Sequence, residues 1–288
     1  METMTRIEQA LQAALASGET SGCPPKLAAA MRHAVFPGGA RIRPQLCIAV
    51  ARACGDSDPA LADAAAVAIE LLHCASLVHD DLPCFDDAPT RRGRASVHCA
   101  YGERLAVLAG DALIVLAYQT LGLGGSRSPA RLCRTISTVS RGVGMPFGIV
   151  AGQAWECEPR VALSDYQRAK TGALFVAATS AGAVSSGADP APWYGLGASL
   201  GEAYQVADDL RDVCAEVDEI GKPTGRDAAL GRPSAVAERG VAGALRLLEE
   251  LVGRALDSIP PCAGSAELQG LVAAEARRLK PRKLLRVA

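Results

Sequence analysis

The sequence predicts an all-α protein, and its composition supports that fold class. Apolar residues make up 49% of the 288-residue chain, and aromatic residues make up only 4%. Alanine is abundant and alternating β-branched runs are scarce, so the apolar residues are expected to pack as helices. Short breaks containing glycine or proline separate the helical segments, and no linker marks a domain boundary. We therefore expect one domain over residues 1–288.

Ten helices are predicted from apolar periodicity, and several begin with proline in the first turn or end near glycine. They cover residues 5–16, 25–35, 41–53, 59–81, 103–121, 129–140, 164–185, 192–213, 242–257 and 266–278. The helix over 59–81 is apolar on nearly every side, and so is the segment 195–213. Because a helix that is apolar all round belongs in a core, we expect these two helices at the centre of the fold.

Charge and cysteine usage exclude several classes of protein. The formal net charge of −1 gives no electrostatic basis for binding nucleic acid. The ten cysteines form no Cys-x-x-Cys pair, which indicates reduced thiols in a cytoplasmic protein. The longest uncharged stretch, 171–188, is diluted by serine, threonine and glycine, so we predict a buried helix and no transmembrane segment. The basic cluster from Arg277 to Arg286 is either a solvated tail or a tail that folds over an anionic ligand.

Two clusters of aspartates follow the two apolar helices. One cluster spans 80–87 and the other spans 208–212. Carboxylates at the end of a buried helix are costly unless a cation neutralises them, and a helix C-terminus is the unfavourable dipole end for a negative charge. Because Pro83 breaks the first helix, Asp86 must curl back from a loop to join Asp80. Oxygen ligands suit Mg²⁺, which binds readily through substrate phosphates, so both clusters are predicted to hold Mg²⁺ in one cavity.

Basic residues near these clusters fit a diphosphate ligand. Arg91-Arg92-Gly93 follows the first cluster, and Arg43, Lys170-Thr171 and Gly221-Lys222 lie elsewhere along the chain. Arginine binds phosphate with two parallel hydrogen bonds, and lysine acts as a point charge. Metal ligands flanked by such side chains indicate diphosphate chemistry.

At this point the chain resembles the trans-polyprenyl diphosphate synthases, in particular the bacterial geranylgeranyl diphosphate synthases of carotenoid biosynthesis. The matching motifs are, in chain order, 38–44, His73, the first aspartate cluster, 91–93, 102–103, 109–111, 152–153, 170–172, 204–205, the second aspartate cluster and 221–222. The resemblance implies the isoprenoid synthase fold, with helices around a central cavity, and a homodimer. It also implies head-to-tail condensation of isopentenyl diphosphate with an allylic diphosphate, farnesyl diphosphate, to give a C20 product.

The resemblance further implies a role for each matching residue. Asp80, Asp86 and Asp208 would bind three Mg²⁺ ions that bridge the allylic diphosphate. Arg91, Lys170 and Lys222 would hold that diphosphate, and Arg43, His73 and Arg92 would hold isopentenyl diphosphate. Lys170, Thr171 and Gln205 would line the carbocation, where carbonyl and hydroxyl dipoles stabilise positive charge.

Departures from the family pattern keep other interpretations open. Ala40 stands where the family usually has a lysine that binds isopentenyl diphosphate, which leaves open weak activity or a partner subunit, whereas Glu156 in place of a common aspartate is a mild change. The alternatives are a farnesyl diphosphate synthase and a weakly active regulatory subunit of a prenyl synthase. Ala75 stands where farnesyl-length enzymes commonly have an aromatic residue, which favours a C20 product. His73 could also be a core histidine, and Asp81, Asp87, Asp209 and Asp212 could serve only in salt bridges or behind the metal ligands.

Overall fold

The computed structural model describes residues 3–36, 38–125, 127–159, 162–214 and 234–279, which are almost entirely helical. The α-helices are α1 Thr3–Gly18, α2 Pro25–Val35, α3 Ile42–Ala53, α4 Pro59–Asp80, α5 Val97–Tyr101, α6 Glu103–Gly124, α7 Pro129–Val143, α8 Ile149–Ala154, α9 Leu163–Gln167, α10 Ala173–Ser185, α11 Tyr194–Cys214, α12 Ala235–Asp257 and α13 Ser265–Leu279. Short 3₁₀ turns cover Trp155–Cys157 and Ala191–Trp193, and a π-helical turn, Arg168–Gly172, joins α9 to α10. The all-α prediction is confirmed.

Most predicted helices agree with the observed ones to within three residues at each end. The largest error is at α12, which begins at Ala235 rather than near residue 242. Ser234 starts this helix because its hydroxyl oxygen accepts a hydrogen bond from the Ala237 amide at 3.1 Å. Gly240, with φ 67°, then kinks the helix and interrupts the apolar periodicity on which the prediction depended.

Two short helices and a two-stranded ribbon were not predicted, and the single helix predicted over 164–185 is divided into α9, the π-helical turn and α10. Helices α5 and α8 span only five and six residues, too few for a periodic pattern. Strands β1 Thr90–Arg91 and β2 Arg94–Ala95 form an antiparallel ribbon that directly follows the first aspartate cluster. Arg92 and Gly93, with φ 53° and 72°, form its turn, as a two-residue hairpin requires.

Helix α10 lies at the centre, in contact with α3, α4, α7 and α11. Almost all of its side chains are buried, which confirms the prediction of a buried helix over the long uncharged stretch. Small residues allow its neighbours to approach closely. A Cβ atom at Gly182 would lie 2.3 Å from the Cys47 carbonyl oxygen in α3, so only glycine fits there.

Helices α4 and α6 are the two described helices that are long and apolar enough to cross a membrane by length and composition. Within the most apolar part of α4, 78% of the residues are buried inside the structure, as in a core helix, against 39% in α6. Helix α4 packs along α6 and belongs to the largest apolar cluster. Helix α6 leaves Val107, Leu108, Val115 and Leu123 exposed. Of the two helices predicted at the centre, α4 lies in the largest apolar cluster, and α11 packs against α10 and α12. Asp80 is the last residue of α4, and Asp208 lies in the C-terminal part of α11.

Candidate active site

The first aspartate cluster folds back on the end of α4, as predicted. Asp80 is the last residue of the helix, and the Asp86 amide donates a hydrogen bond to the Asp80 carbonyl oxygen at 2.9 Å. The Ala88 amide donates to the Asp81 carbonyl oxygen at 3.1 Å. Burial raises the pKa of the Asp80 carboxyl, the Lys170 ammonium opposes that effect, and the Asp86 carboxylate raises the pKa further. Two carboxylates thus share a partly buried position.

The Asp80 carboxylate faces two cations but is not fully satisfied by them. Its Oδ1 lies 3.7 Å from Lys170 Nζ, and its Oδ2 lies 3.9 Å from Arg91 Nη2. Oδ1 is buried and has no hydrogen-bond partner among the residues that the structure describes. An unsatisfied buried carboxylate oxygen beside a second carboxylate fits a divalent cation.

No closed metal cage is present in the described ranges, where no three histidine, cysteine, aspartate or glutamate side chains are grouped as a ready-made site. This agrees with Mg²⁺, which usually keeps several waters and binds proteins through one or two carboxylates together with substrate phosphates. Asp80, Asp86 and Asp208 stay the residues predicted to bind Mg²⁺.

Arg91 is held in place by Asp81 rather than by Asp80. Its Nε donates to both carboxylate oxygens of Asp81, at 2.9 and 3.2 Å, and Nη2 contacts the same group. Asp81 is only 2% exposed. Of the two roles left open for Asp81, the structure supports the salt bridge, which fixes the Arg91 guanidinium at the rim of the carboxylate pair.

Lys170 lies in the π-helical turn and contacts Glu156. The Glu156 carboxylate also accepts hydrogen bonds from Tyr166 Oη at 2.6 Å and from Gln153 Nε2 at 3.2 Å. Gly152 allows the close approach, because a Cβ atom there would lie 2.3 Å from Lys170 Cα. The role of Tyr166 was not predicted, and Glu156 was noted only as a substitution. The spacing of four residues between Tyr166 and Lys170 was the available signal.

Arg43, His73 and Arg92 form a second group of basic side chains. Arg43 Nη1 lies 3.3 Å from His73 Nε2, and the Arg43 guanidinium stacks over the Phe175 ring at 4.4 Å. Burial holds the pKa of His73 well below its usual value of 6.5, and the charges of Arg43 and Arg92 lower it further. The neutral imidazole can therefore accept a hydrogen bond from Arg43, a contact that both a substrate-binding residue and a hydrogen-bonded core histidine would make.

The Arg43 guanidinium is buried and has an unused hydrogen-bond donor. Burial lowers the pKa of Arg43, while the negative charge of Glu70 and, to a smaller extent, that of Asp208 raise it. Its Nε is buried and lacks a hydrogen-bond partner within the described part of the chain. A buried donor without an acceptor is costly, and a diphosphate oxygen would satisfy it.

Arg41, only two residues from Arg43, has a structural role. It is 2% exposed, with φ 51°, and its guanidinium contacts Glu8 at 2.8 Å and Glu70 at 2.6 Å. It also donates to the Val35 carbonyl oxygen at 2.7 Å. These contacts raise the pKa of Arg41 despite its burial and hold α1, α3 and α4 together. The neighbouring Ala40 carries no charge into the site.

The second aspartate cluster, on α11, is divided between the surface and the interior. Asp208 is half-exposed and accepts a hydrogen bond from Arg211 at 2.9 Å. Asp209 is buried, and its Oδ1 accepts from Gln205 Nε2 at 3.0 Å. Gln205 Oε1 in turn accepts from the Thr171 hydroxyl at 2.8 Å. Lys222 and the tail beyond Leu279 lie outside the described residues.

Comparison with known proteins agrees with this arrangement. The family model for polyprenyl synthetase matches residues 24–258. A geranylgeranyl diphosphate synthase from Cereibacter sphaeroides is 54% identical over 276 residues, covering 96% of each chain. A geranylgeranyl diphosphate synthase from Rhodobacter capsulatus is 50% identical over 95% of each chain.

Solved structures support the same conclusion. A geranyltransferase from Legionella pneumophila superposes with a TM-score of 0.82 at 26% identity, covering 96% of this chain and 94% of that one. A geranyltransferase from Helicobacter pylori, solved with magnesium and isoprenyl diphosphate, gives 0.81 at 27% identity, covering 96% and 98%. The isoprenoid synthase fold is thereby confirmed. Because the family model spans most of the chain and relatives along its length share half of its residues, the chain belongs to the polyprenyl synthetase family and is a prenyltransferase.

Proposed function

We propose that this enzyme condenses isopentenyl diphosphate with farnesyl diphosphate, head to tail, to give geranylgeranyl diphosphate. The similarity to two geranylgeranyl diphosphate synthases supports the C20 product. Such a product would serve as a precursor in carotenoid biosynthesis, the pathway of the enzymes that the sequence resembles.

The observation that carries the proposal is the buried Asp80 Oδ1, which lacks a hydrogen-bond partner within the described residues and lies beside Asp86, Lys170 and Arg91. Asp80 and Asp86 on one side and Asp208 on the other would hold three Mg²⁺ ions. Arg91, fixed by Asp81, and Lys170 would bind the allylic diphosphate together with Lys222.

The second group of basic side chains would bind isopentenyl diphosphate. Arg43 offers an unsatisfied Nε, Arg92 lies beside Gly39, and His73 supports Arg43 through its ring nitrogen. The Phe175 ring under Arg43 holds the guanidinium plane in a fixed orientation. In this arrangement two diphosphates would lie on the two sides of the C-terminal end of α4.

The reaction breaks the carbon–oxygen bond of the allylic diphosphate and leaves an allylic cation. Bound Mg²⁺ would supply neutralisation of the charge on the leaving diphosphate. Lys170 and Arg91 add positive charge at the same place, and Thr171 and Gln205 present oxygen atoms to the cation. The double bond of isopentenyl diphosphate then forms the new carbon–carbon bond, and the proton lost from the neighbouring carbon goes to the departed diphosphate.

A product assay tests this function directly. Purified protein is incubated with Mg²⁺, isopentenyl diphosphate and, in separate reactions, dimethylallyl, geranyl or farnesyl diphosphate, and the products are sized by mass spectrometry. We expect C20 product that is lost when EDTA replaces Mg²⁺. Mainly C15 product, C30 and longer products, or no product with any allylic substrate would contradict the proposal.

We also propose a cytoplasmic homodimer that forms through α6. The exposed apolar residues Val107, Leu108, Val115 and Leu123 give this helix a face suited to a second copy of the chain. Analytical ultracentrifugation should give a dimer for the wild type and a monomer for Leu108→Glu/Val115→Glu. A charge change on the exposed face of another helix, Glu249→Lys on α12, serves as the control and should stay dimeric. A monomeric wild type would contradict the proposal.

A further inference from the structure

Three hydrogen bonds connect Thr171 and Gln205, the residues predicted to line the carbocation, to the start of α12. The Thr171 hydroxyl donates to Gln205 Oε1 at 2.8 Å, and Gln205 Nε2 donates to Asp209 Oδ1 at 3.0 Å. The Ala235 amide donates to Asp209 Oδ2 at 2.7 Å. Asp209 is 2% exposed, so its carboxylate is buried with both oxygens used as acceptors.

The direction of this chain of hydrogen bonds is set by Asp209. An ionised carboxylate can only accept hydrogen bonds, so the Gln205 side chain must turn its NH₂ group towards Asp209. The amide oxygen of Gln205 then faces Thr171, and the single hydroxyl proton of Thr171 is used in that bond. Any further contact made by Thr171 Oγ1 must therefore be made as an acceptor.

We propose that Asp209 is a positioning residue that sets the hydrogen-bond polarity of Thr171 and Gln205, and so keeps oxygen lone pairs available to a carbocation. The inference rests on the proposed function, because the polarity matters only if positive charge develops next to these side chains. With the opposite polarity, Thr171 would accept from Gln205 and turn its hydroxyl proton outward, where it would repel a cation.

Anchoring of α12 does not by itself explain a buried carboxylate. Ser234 already caps this helix through the Ala237 amide. A buried carboxylate is costly compared with a neutral side chain, and when ionised it differs from asparagine in that it accepts hydrogen bonds and cannot donate one.

The first variant is Asp209→Asn, which keeps the shape and changes the polarity. The asparagine oxygen must stay on the Ala235 amide, so its NH₂ group faces Gln205 and forces the Gln205 amide to flip. We expect kcat with farnesyl diphosphate to fall about 10- to 100-fold, with both KM values within about threefold of wild type, since one stabilising dipole is reversed. A wild-type kcat for this variant would overturn the proposal.

Gln205→Glu supplies the compensating change. In the wild-type background it places two carboxylates about 3 Å apart, which should lower both activity and stability. Combined with Asp209→Asn, the new glutamate accepts from the asparagine NH₂ and from the Thr171 hydroxyl, so the original direction returns. We expect the double variant to have a kcat about tenfold above that of either single variant.

The control is Ser234→Ala, which weakens the start of α12 without touching Gln205. It should lower the melting temperature and leave kcat unchanged.

The same double-mutant cycle is also measured by urea unfolding without substrates, where the double variant should be more stable than Gln205→Glu alone. Additive losses of kcat or of stability in the cycle would overturn this inference. A wild type without prenyltransferase activity would instead overturn the proposed function, and the urea cycle would still decide the direction of the hydrogen bonds.

Discussion

The two aspartate clusters differ in how far their charges are compensated by the protein itself. At the end of α4, the Asp80 side chain is 17% exposed and lies within 4 Å of two cations, and Asp81 is enclosed by Arg91. On α11, the Asp208 side chain is 55% exposed and pairs only with Arg211 among the contacts that the structure describes. The first cluster is compensated by nearby arginine and lysine side chains, whereas Asp208 of the second cluster is a half-exposed carboxylate.

This difference indicates how each cluster would respond to a ligand. An exposed pair three residues apart on one helix contributes little stability, so Asp208 can leave Arg211 for a metal ion at small cost. Asp80 has less freedom to move, because its position follows from the end of α4 and the loop that returns Asp86. We therefore expect the rigid first cluster to define the site and the exposed Asp208 to complete it.

The largest expected effect comes from removing a carboxylate of each cluster. Asp80→Ala should lower kcat about a thousandfold and Asp208→Ala about a hundredfold, as expected from losing about 4 kcal/mol and about 3 kcal/mol of charge stabilisation, respectively. Steady-state turnover with Mg²⁺ measures both, and far-ultraviolet circular dichroism should show an unchanged helical fold. Near-wild-type turnover in either variant would show that the substituted residue does not belong to the site. A greater loss of turnover in Asp208→Ala than in Asp80→Ala would show that the second cluster, and not the first, defines the site.

A second test uses α4 itself, which carries the rigid cluster. Ala75 lies five residues before Asp80 and is 1% exposed within the largest apolar cluster. Ala75→Tyr should block chain growth and shift the product from C20 to C15, at a cost of about 1–3 kcal/mol in stability from overpacking. Mass spectrometry of the products measures the shift.

The control is Ala75→Gly, which also destabilises the helix, by about 1 kcal/mol, but adds no bulk. It should keep the C20 product. If the tyrosine variant still makes mainly C20, position 75 does not limit the length of the product.

A third test adds charge at Ala40, whose neighbour Gly39 lies against the Arg92 side chain. Ala40→Lys should lower KM for isopentenyl diphosphate about fivefold and leave KM for the allylic substrate unchanged, because one lysine–phosphate contact contributes about 1 kcal/mol. Ala40→Gln, similar in length but neutral, should have little effect. Unchanged KM values in the lysine variant would mean that position 40 lies outside the site or that another cation already fills the role.

The smallest effect concerns pH and His73, whose pKa lies below 6.5 in the folded protein. Between the pKa of His73 in the folded protein and its pKa in the unfolded chain, the unfolded chain binds more protons than the folded protein. The free energy of unfolding therefore rises with pH in that range and is lost as the pH falls below about 6.5. His73→Gln should remove up to about 1.4 kcal/mol per pH unit of this slope. Urea unfolding at pH 6.5 and 5.5 compares the two proteins, and identical slopes would show that His73 is not held neutral.

The sequence was sufficient for features that depend on local pattern. Proline at 25, 59 and 129 begins α2, α4 and α7 at the predicted residues. Helix α4 ends at Asp80, shortly before Pro83, as expected. The return of Asp86 to Asp80 followed from the same break. These features need only the chain neighbours of each residue.

Features that depend on distant partners could not be predicted. Arg41 and Arg43 have the same side chain, but only the structure brings Glu8 and Glu70 to Arg41. Asp80 and Asp81 are likewise distinguished by Arg91, which the hairpin turns onto Asp81. Spacing along the chain does not encode these pairings, because they depend on how α1, α4 and the ribbon pack.

The π-helical turn at Arg168–Gly172 gives the site a property that an uninterrupted helix would lack. A π turn holds about one residue more than an α turn, so the helices on its two sides are out of phase by roughly 100°. Lys170 and Thr171 lie within the π-helical turn that causes this rotation. The lysine contacts Glu156 on one side, and the threonine contacts Gln205 of α11 on the other. Under the proposed function, these two neighbouring residues would serve both halves of one reaction: Lys170 would supply charge for the leaving group, and Thr171 would supply oxygen for the cation.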